Sequence, residues 1–146
     1  MPEILQVSFR AVLEGLALSE YERESALPEL GKINPNWKLY EMLENGGAMQ
    51  TFAAFENGKM VGFATVMIYE VPHYSKKVAT TESIFVALEW RPVGVGTVLM
   101  KHIEDFARKA GCHVFFYSAP VHSQIDKLLS FRKKGRHSNN VYLVTL

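Results

Sequence analysis

The chain has 146 residues, 48% of them apolar and 21% charged, with a formal net charge of +1. That length suits one domain with a real core, and that apolar content excludes a disordered chain. No apolar run approaches the ~20 residues of a membrane span, and Met1-Pro2-Glu3 lacks the positive start of a secretion signal, so a cytoplasmic protein is expected.

In chain order, Phe9, Val12, Leu13, Leu16 and Ala17 recur at helical spacing and predict an amphipathic helix over residues 9–24. Pro28, Gly31 and Pro35 make residues 26–35 an irregular connection. A short helix follows over 36–43, with Asn36 as its cap and Gly46-Gly47 as its stop. Residues 51–56 and 60–69 are rich in β-branched and aromatic side chains and flank Asn57-Gly58, so a hairpin is expected. Residues 71–77, with Pro72, read as a loop, and 80–88 as another strand. Residues 94–109 predict a helix with Val98, Leu99, Ile103, Phe106 and Ala107 inward, closed by Gly111. A strand over 114–118 is apolar enough to be covered on both faces. The last helix spans 122–134 with Ile125, Leu128, Leu129 and Phe131 inward, and 141–146 closes the chain as a strand. The order predicts a mixed α/β sandwich (α+β) in one domain, residues 1–146.

The net charge hides a split. Residues 1–73 carry five Lys/Arg against ten Asp/Glu, whereas residues 74–146 carry eleven against five. Solvated faces explain such a division, and so do ligands of opposite sign. The lone Cys112 fits a reducing compartment and a small buried thiol. The five histidines show no metal-ligand spacing, so no metal is expected.

The turn at Arg91-Pro92-Val93-Gly94-Val95-Gly96 carries the chemistry. It joins a strand to a helix N-terminus, where glycines allow close approach and free amides favour an anion such as phosphate. Leu99 excludes the dinucleotide fingerprint, and Thr97-Val98 excludes a P-loop. Alone, the pattern also fits a plain tight turn.

In its setting the segment resembles the acetyl-CoA motif of the GCN5-related N-acetyltransferase (GNAT) superfamily, Arg/Gln-x-x-Gly-x-Gly/Ala after an apolar strand. The order of elements matches along nearly the whole chain. Asn36-Trp37-x-x-Tyr40, Val71-Pro72-His73-Tyr74 and Tyr142 resemble short phage and prophage members. The resemblance implies a mostly antiparallel central sheet with helices on both faces and acetyl-CoA as co-substrate. Backbone groups of Ile84, Phe85 and Val86 would meet the pantetheine arm as an added strand. Amides from Arg91 to Gly96 would hold the pyrophosphate, except at Pro92, which has no N–H to donate. Gln124 stands where the family often has a cofactor-contacting Asn.

Acetyl transfer needs a base, a polarised carbonyl and a proton for the thiolate. By the resemblance Glu82 is the base; alternation puts it on one face with Ile84 and Val86, where apolar flanks would raise its pKa. A carboxylate paired with a cation at the sheet edge is the other reading. Phe131 occupies the usual position of the acid Tyr and has no proton to give. Tyr117, Ser118 and His122 are substitutes, although each also has a structural reading.

The expected activity is N-acetylation of a primary amine, small or on a protein. The alternative is a catalytically impaired GNAT-fold module that binds CoA or a partner, which Phe131 and Arg136 favour. Glu20, Glu22, Glu24 and Glu29 could attract a cationic acceptor or simply be solvated. The basic run Lys127, Arg132, Lys133, Lys134 and Arg136 reads as a solvated helix end or a contact for the adenosine 3′-phosphate. Nucleic acid is disfavoured by the acidic first half. A homodimer could cover the last sheet edge.

Overall fold

A computed structural model describes every residue except Ala17, Ala26 and Lys133, so those members of the predicted helix, connection and basic run lie outside the described residues. Strand β1 (Glu3–Val7) opens the chain and pairs antiparallel with β2 (Met49–Glu56). Its five residues carry no clear alternation, and only the pairing reveals them as a strand.

The predicted helix over 9–24 is two helices, α1 (Phe9–Gly15) and α2 (Leu18–Ser25). The break follows Gly15, the weakest helix former of the stretch, and Leu16 is extended at φ −115°, ψ 147°. Ser8 caps α1 by accepting from Ala11 N–H. A 3-10 turn (Pro28–Leu30) then leads to α3 (Trp37–Asn45), which Asn36 caps by accepting from Leu39 N–H at 3.1 Å, as its residue type predicts.

Strand β2 and strand β3 (Lys59–Val71) form the expected hairpin. Asn57 and Gly58 both take positive φ, 50° and 76°, as a two-residue turn that follows the strand twist requires. Strand β4 (Lys76–Val86) returns antiparallel along β3, so the predicted loop over 71–77 shrinks to the four residues between them. A second 3-10 turn (Leu88–Trp90) leads to α4 (Val95–Lys109), a crossover that delivers β5 (Val114–Phe116) parallel to β4. Helix α5 (Gln124–Phe131) follows, capped by Ser123.

The sheet order is β1-β2-β3-β4-β5, and helices cover both faces. On one face Val61, Ala64, Val66 and Val86 pack against Val95, Leu99, Ile103 and Ala107 of α4. On the other, Phe63 and Phe85 pack against Phe9 and Val12 of α1, with Tyr21, Trp37 and Tyr40 around them.

The C-terminal third corrects four expectations. Strand β5 stops at Phe116, and its outer residues Val114 and Phe116 are exposed rather than covered. Helix α5 is shorter than 122–134 and buries no residue completely. Phe131 ends that helix and is 85% exposed, whereas the next residue, Arg132, leaves the helix in an extended conformation and bonds Glu104 of α4 with its side chain. Residues 141–146 form no strand, since no described strand edge pairs with them. Apolar composition alone does not make a strand; a partner does.

Candidate active site

Strands β4 and β5 pair only at Val78–Val114, Ala79–Phe115 and Thr80–Phe116. Past that point they part, and Ser118 N–H donates to the Thr81 hydroxyl instead of to the opposing backbone. The end of β4 therefore keeps β3 on one side only: Ile84 faces Ala64, Phe85 faces Phe63 and Val86 faces Gly62. A cavity of about 260 Å³ opens on the free side, lined by Ile84, Phe85, Val86, Gly96, Ser123 and Gln124 among others. The sequence-derived backbone residues and Gln124 thus meet at one slot. The side chains of Phe85 and Val86 lie in the two cores, which leaves their main chain for a ligand.

The motif turn stands at one end of this slot. Gly94 holds φ +86° as the residue before α4, a conformation costing other residues about 1–2 kcal/mol. The first intrahelical bond runs from Val98 N–H to Gly94 O, so the amides of Val95, Gly96 and Thr97 are left without helical partners. Free amides at the positive end of a helix suit the phosphates of a nucleotide carrier. Pro92 and Val93 are exposed on the outside of the turn, and Val95 buries its side chain under the sheet.

Arg91 is already engaged. Its Nε donates to Val86 O at 2.7 Å, and Nη2 donates to Glu24 at 2.6 Å. Its guanidinium lies 5.6 Å from the centre of the Phe85 ring. Glu20, one turn earlier on α2, accepts from Leu88 N–H at 3.2 Å. Two of the four glutamates read as attractors for an acceptor instead bind α2 to the segment between β4 and α4.

Glu82 does not share a face with Ile84 and Val86. Opposite Thr65 and Val66 of β3, strand β4 sets Ser83 and Thr81, and Glu82 between them is unpaired. This β-bulge breaks the alternation and turns Glu82 toward Tyr40, on the face of Phe63 and Phe85. The apolar burial expected around Glu82 is absent, because the residue is exposed. The Ser83 hydroxyl donates to it at 2.8 Å and the Tyr40 hydroxyl at 3.4 Å. Burial, then the Glu82 charge, pushes the Tyr40 pKa well above the ordinary tyrosine range, so Tyr40 stays a donor.

None of the three substitutes for the missing acid lines the slot. The Tyr117 hydroxyl donates to Glu104 at 2.8 Å, and burial with that bond pushes its pKa far up. His122 donates its backbone N–H to Asp126, and Ser118 lies exposed beyond β5. Sequence reasoning gave no site role to Tyr21, Ser25, Tyr40 or Ser83, which the structure brings to the end of β4 and its cavity. Tyr21 and Ser25 fall four apart on α2, a spacing that already marks a shared face.

Arg132 ties α5 to α4 through Glu104 at 2.6 Å. Burial raises the Glu104 pKa, but Arg132 and Tyr117 outweigh it and hold the carboxyl below its usual range. A depressed carboxylate stabilises the fold above its unfolded pKa, and that contribution fades as pH falls through the folded value. Arg132→Ala is expected to cost about 1 kcal/mol near neutrality and to lose this acid-side part of the pH dependence. Thermal unfolding across pH 3–7 checks both.

The family model described as "Acetyltransferase (GNAT) family" matches residues 13–125. The chain belongs to the GNAT acetyltransferase family, and its five-stranded, mostly antiparallel sheet with flanking helices is the fold of that family. A ribosomal-protein-alanine N-acetyltransferase from Brucella melitensis biovar Abortus 2308 superposes with TM-score 0.75 at 18% identity, covering 100% of this chain and 99% of that one. An aminoglycoside acetyltransferase from an uncultured soil metagenomic sample, in complex with trehalose, gives 0.75 at 18%, with 99% and 96% covered. A Trypanosoma brucei acetyltransferase gives 0.63 at 19%, with 97% and 100% covered. A search of curated protein sequences finds no match. Among the described residues no group of three or more His, Cys, Asp or Glu could hold a metal ion, and no helix is long and apolar enough to cross a membrane.

Proposed function

We propose that residues 1–146 are one acetyl-CoA-dependent N-acetyltransferase domain that passes the acetyl group directly from the thioester to a primary amine. One observation carries the reading: a single cavity joins the free amides at the start of α4 to the unpaired edge at Ile84–Val86, with Glu82 two residues beyond. Acetyl-CoA supplies the activated acyl group. The chain supplies the rest. Amides of Val95 and Gly96 take the phosphates, with Gly94 giving them room, and Arg91, Pro92 and Val93 shape the turn. Main-chain groups of Ile84, Phe85 and Val86 align the pantetheine arm, and Gln124 offers its amide from across the slot. Glu82 takes the proton of the attacking amine, held by Ser83 and Tyr40. The open edge of β5, with Val114 and Phe116 exposed, is where a second copy would add a strand.

Calorimetry with acetyl-CoA and CoA tests the cofactor half, and binding is expected at submillimolar concentration. Absence of binding there overturns the reading. Free-thiol release against a panel of amines tests the chemistry; an aminoglycoside and an alanine-bearing peptide belong in it because the structural neighbours act on such acceptors. Binding without turnover on any amine would favour the impaired module, whose supporting observation is that position 131 is Phe and lies in solvent.

A further inference from the structure

Strand β5 ends the sheet with one edge free. Its Phe115 packs into the core that α4 covers, whereas Val114, 49% exposed, and Phe116, 39% exposed, belong to neither core. The chain also carries an apolar segment with nothing against it. Every residue from Lys134 to Leu146 is exposed, and Val141, Tyr142, Leu143, Val144 and Leu146 among them are large and apolar. Contiguous apolar surface on that scale marks a contact. The segment has the composition of a strand and no neighbour, while the edge of β5 offers unpaired backbone groups and an apolar flank.

We propose that residues 141–146 of one copy pair along the free edge of β5 in a second copy, each chain giving its segment to the other about a two-fold axis. This rests on the second-copy reading of the β5 edge and names the strand that is added. The pattern of the segment favours a second copy over the chain's own edge. Along an added strand Val141, Leu143 and Thr145 share one face, and Tyr142, Val144 and Leu146 share the other. The sheet is covered on the Phe115 side of β5 and bare on the Val114 and Phe116 side. Pairing with its own β5 would therefore bury one apolar face of the segment and leave the other in water. A strand apolar on both faces suits burial on both. In the exchange the two bodies meet across the added strands and supply the second cover. The area fits as well: the five apolar side chains of the segment, with Val114 and Phe116, expose on the order of 800 Å² per copy, which is what each partner buries in an interface of standard size. Residues 134–140, Lys-Gly-Arg-His-Ser-Asn-Asn, are polar and place Gly135 in open space, as suits a connection that leaves its own domain.

Light scattering on the full chain at micromolar concentration is expected to give the mass of a dimer. Tyr142→Lys with Val144→Lys in one chain, and separately the deletion of residues 141–146, should each halve that mass. Both variants should keep the circular dichroism of the folded chain, because the segment packs on nothing in its own protomer. A chain with Val114→Cys and Val144→Cys in a Cys112→Ser background, treated with a flexible bismaleimide, should run as a covalent dimer on a denaturing gel. A monomeric wild-type chain overturns the exchange and the second-copy reading together. A dimer that survives both segment variants, or cysteines joined within a single chain of a dimer, overturns the exchange and leaves the second-copy reading standing.

Discussion

Glu82→Gln is expected to lower kcat/KM for amine acetylation about 10²–10⁴-fold near neutral pH while acetyl-CoA affinity stays within about twofold. The two effects separate because of where the bulge sets this residue. Glu82 faces Tyr40 and Ser83, on the side of the sheet opposite the Ile84 and Val86 side chains, and it does not line the slot. The amide is the same size, still accepts a hydrogen bond, and sits at an exposed position, so the fold should persist. It cannot take a proton. Raising the pH deprotonates the amine in solution and should recover part of the loss. Single-turnover thiol release measures the rate, and calorimetry measures the affinity; an unchanged rate removes Glu82 from the mechanism.

Gly62→Ala is expected to damage the site from behind. Gly62 opposes Val86 across β3 and β4, and a Cβ there would stand 2.8 Å from Phe85 O, 3.1 Å from Val86 Cγ2 and 3.3 Å from Val86 Cα. Backbone atoms cannot swing aside as a long side chain does. The strand end must shift, at a cost of about 1–3 kcal/mol. Val86 O also holds Arg91 at 2.7 Å, so the shift reaches the motif turn. The expected result is a Tm lower by roughly 5 °C and acetyl-CoA affinity lower by about tenfold. Gly135→Ala, where an added Cβ meets nothing within 4 Å, should change neither. Equal behaviour of the two variants in scanning calorimetry and cofactor titration would refute the account of Gly62.

What was legible in the chain was local. Asn57-Gly58 fixes its turn with its own dihedrals, Asn36 caps its helix through a residue three positions on, and Gly94 permits the turn before α4 without outside help. The slot was legible through its glycines and through the strand leading to them. The features that went unseen each depend on a distant partner. The bulge at Glu82 exists only relative to β3, so counting along β4 assigned the wrong face. The parting of β4 and β5 depends on where α4 sets down β5. Glu20 and Glu24 look like any exposed helical carboxylates until Leu88 and Arg91 are brought beneath them. Residues 141–146 have the composition of a strand and lack the neighbour that would make them one.

Those two glutamates have a consequence for how the site responds to its ligands. Helix α2 carries Tyr21 over Phe85 and sets Ser25 at the cavity, while Glu20 and Glu24 hold it to Leu88 and Arg91, between β4 and α4. On the proposed reading, a phosphate drawing on Arg91 would compete with Glu24 and change the hold on α2, which lines the cavity through Glu24 and Ser25. Equilibrium makes such coupling mutual: the factor by which the bound carrier alters acceptor affinity is the factor by which acceptor alters carrier affinity. Neither affinity would then be a private property of its own half of the protein, and screening amines without the carrier present would measure a different binding surface.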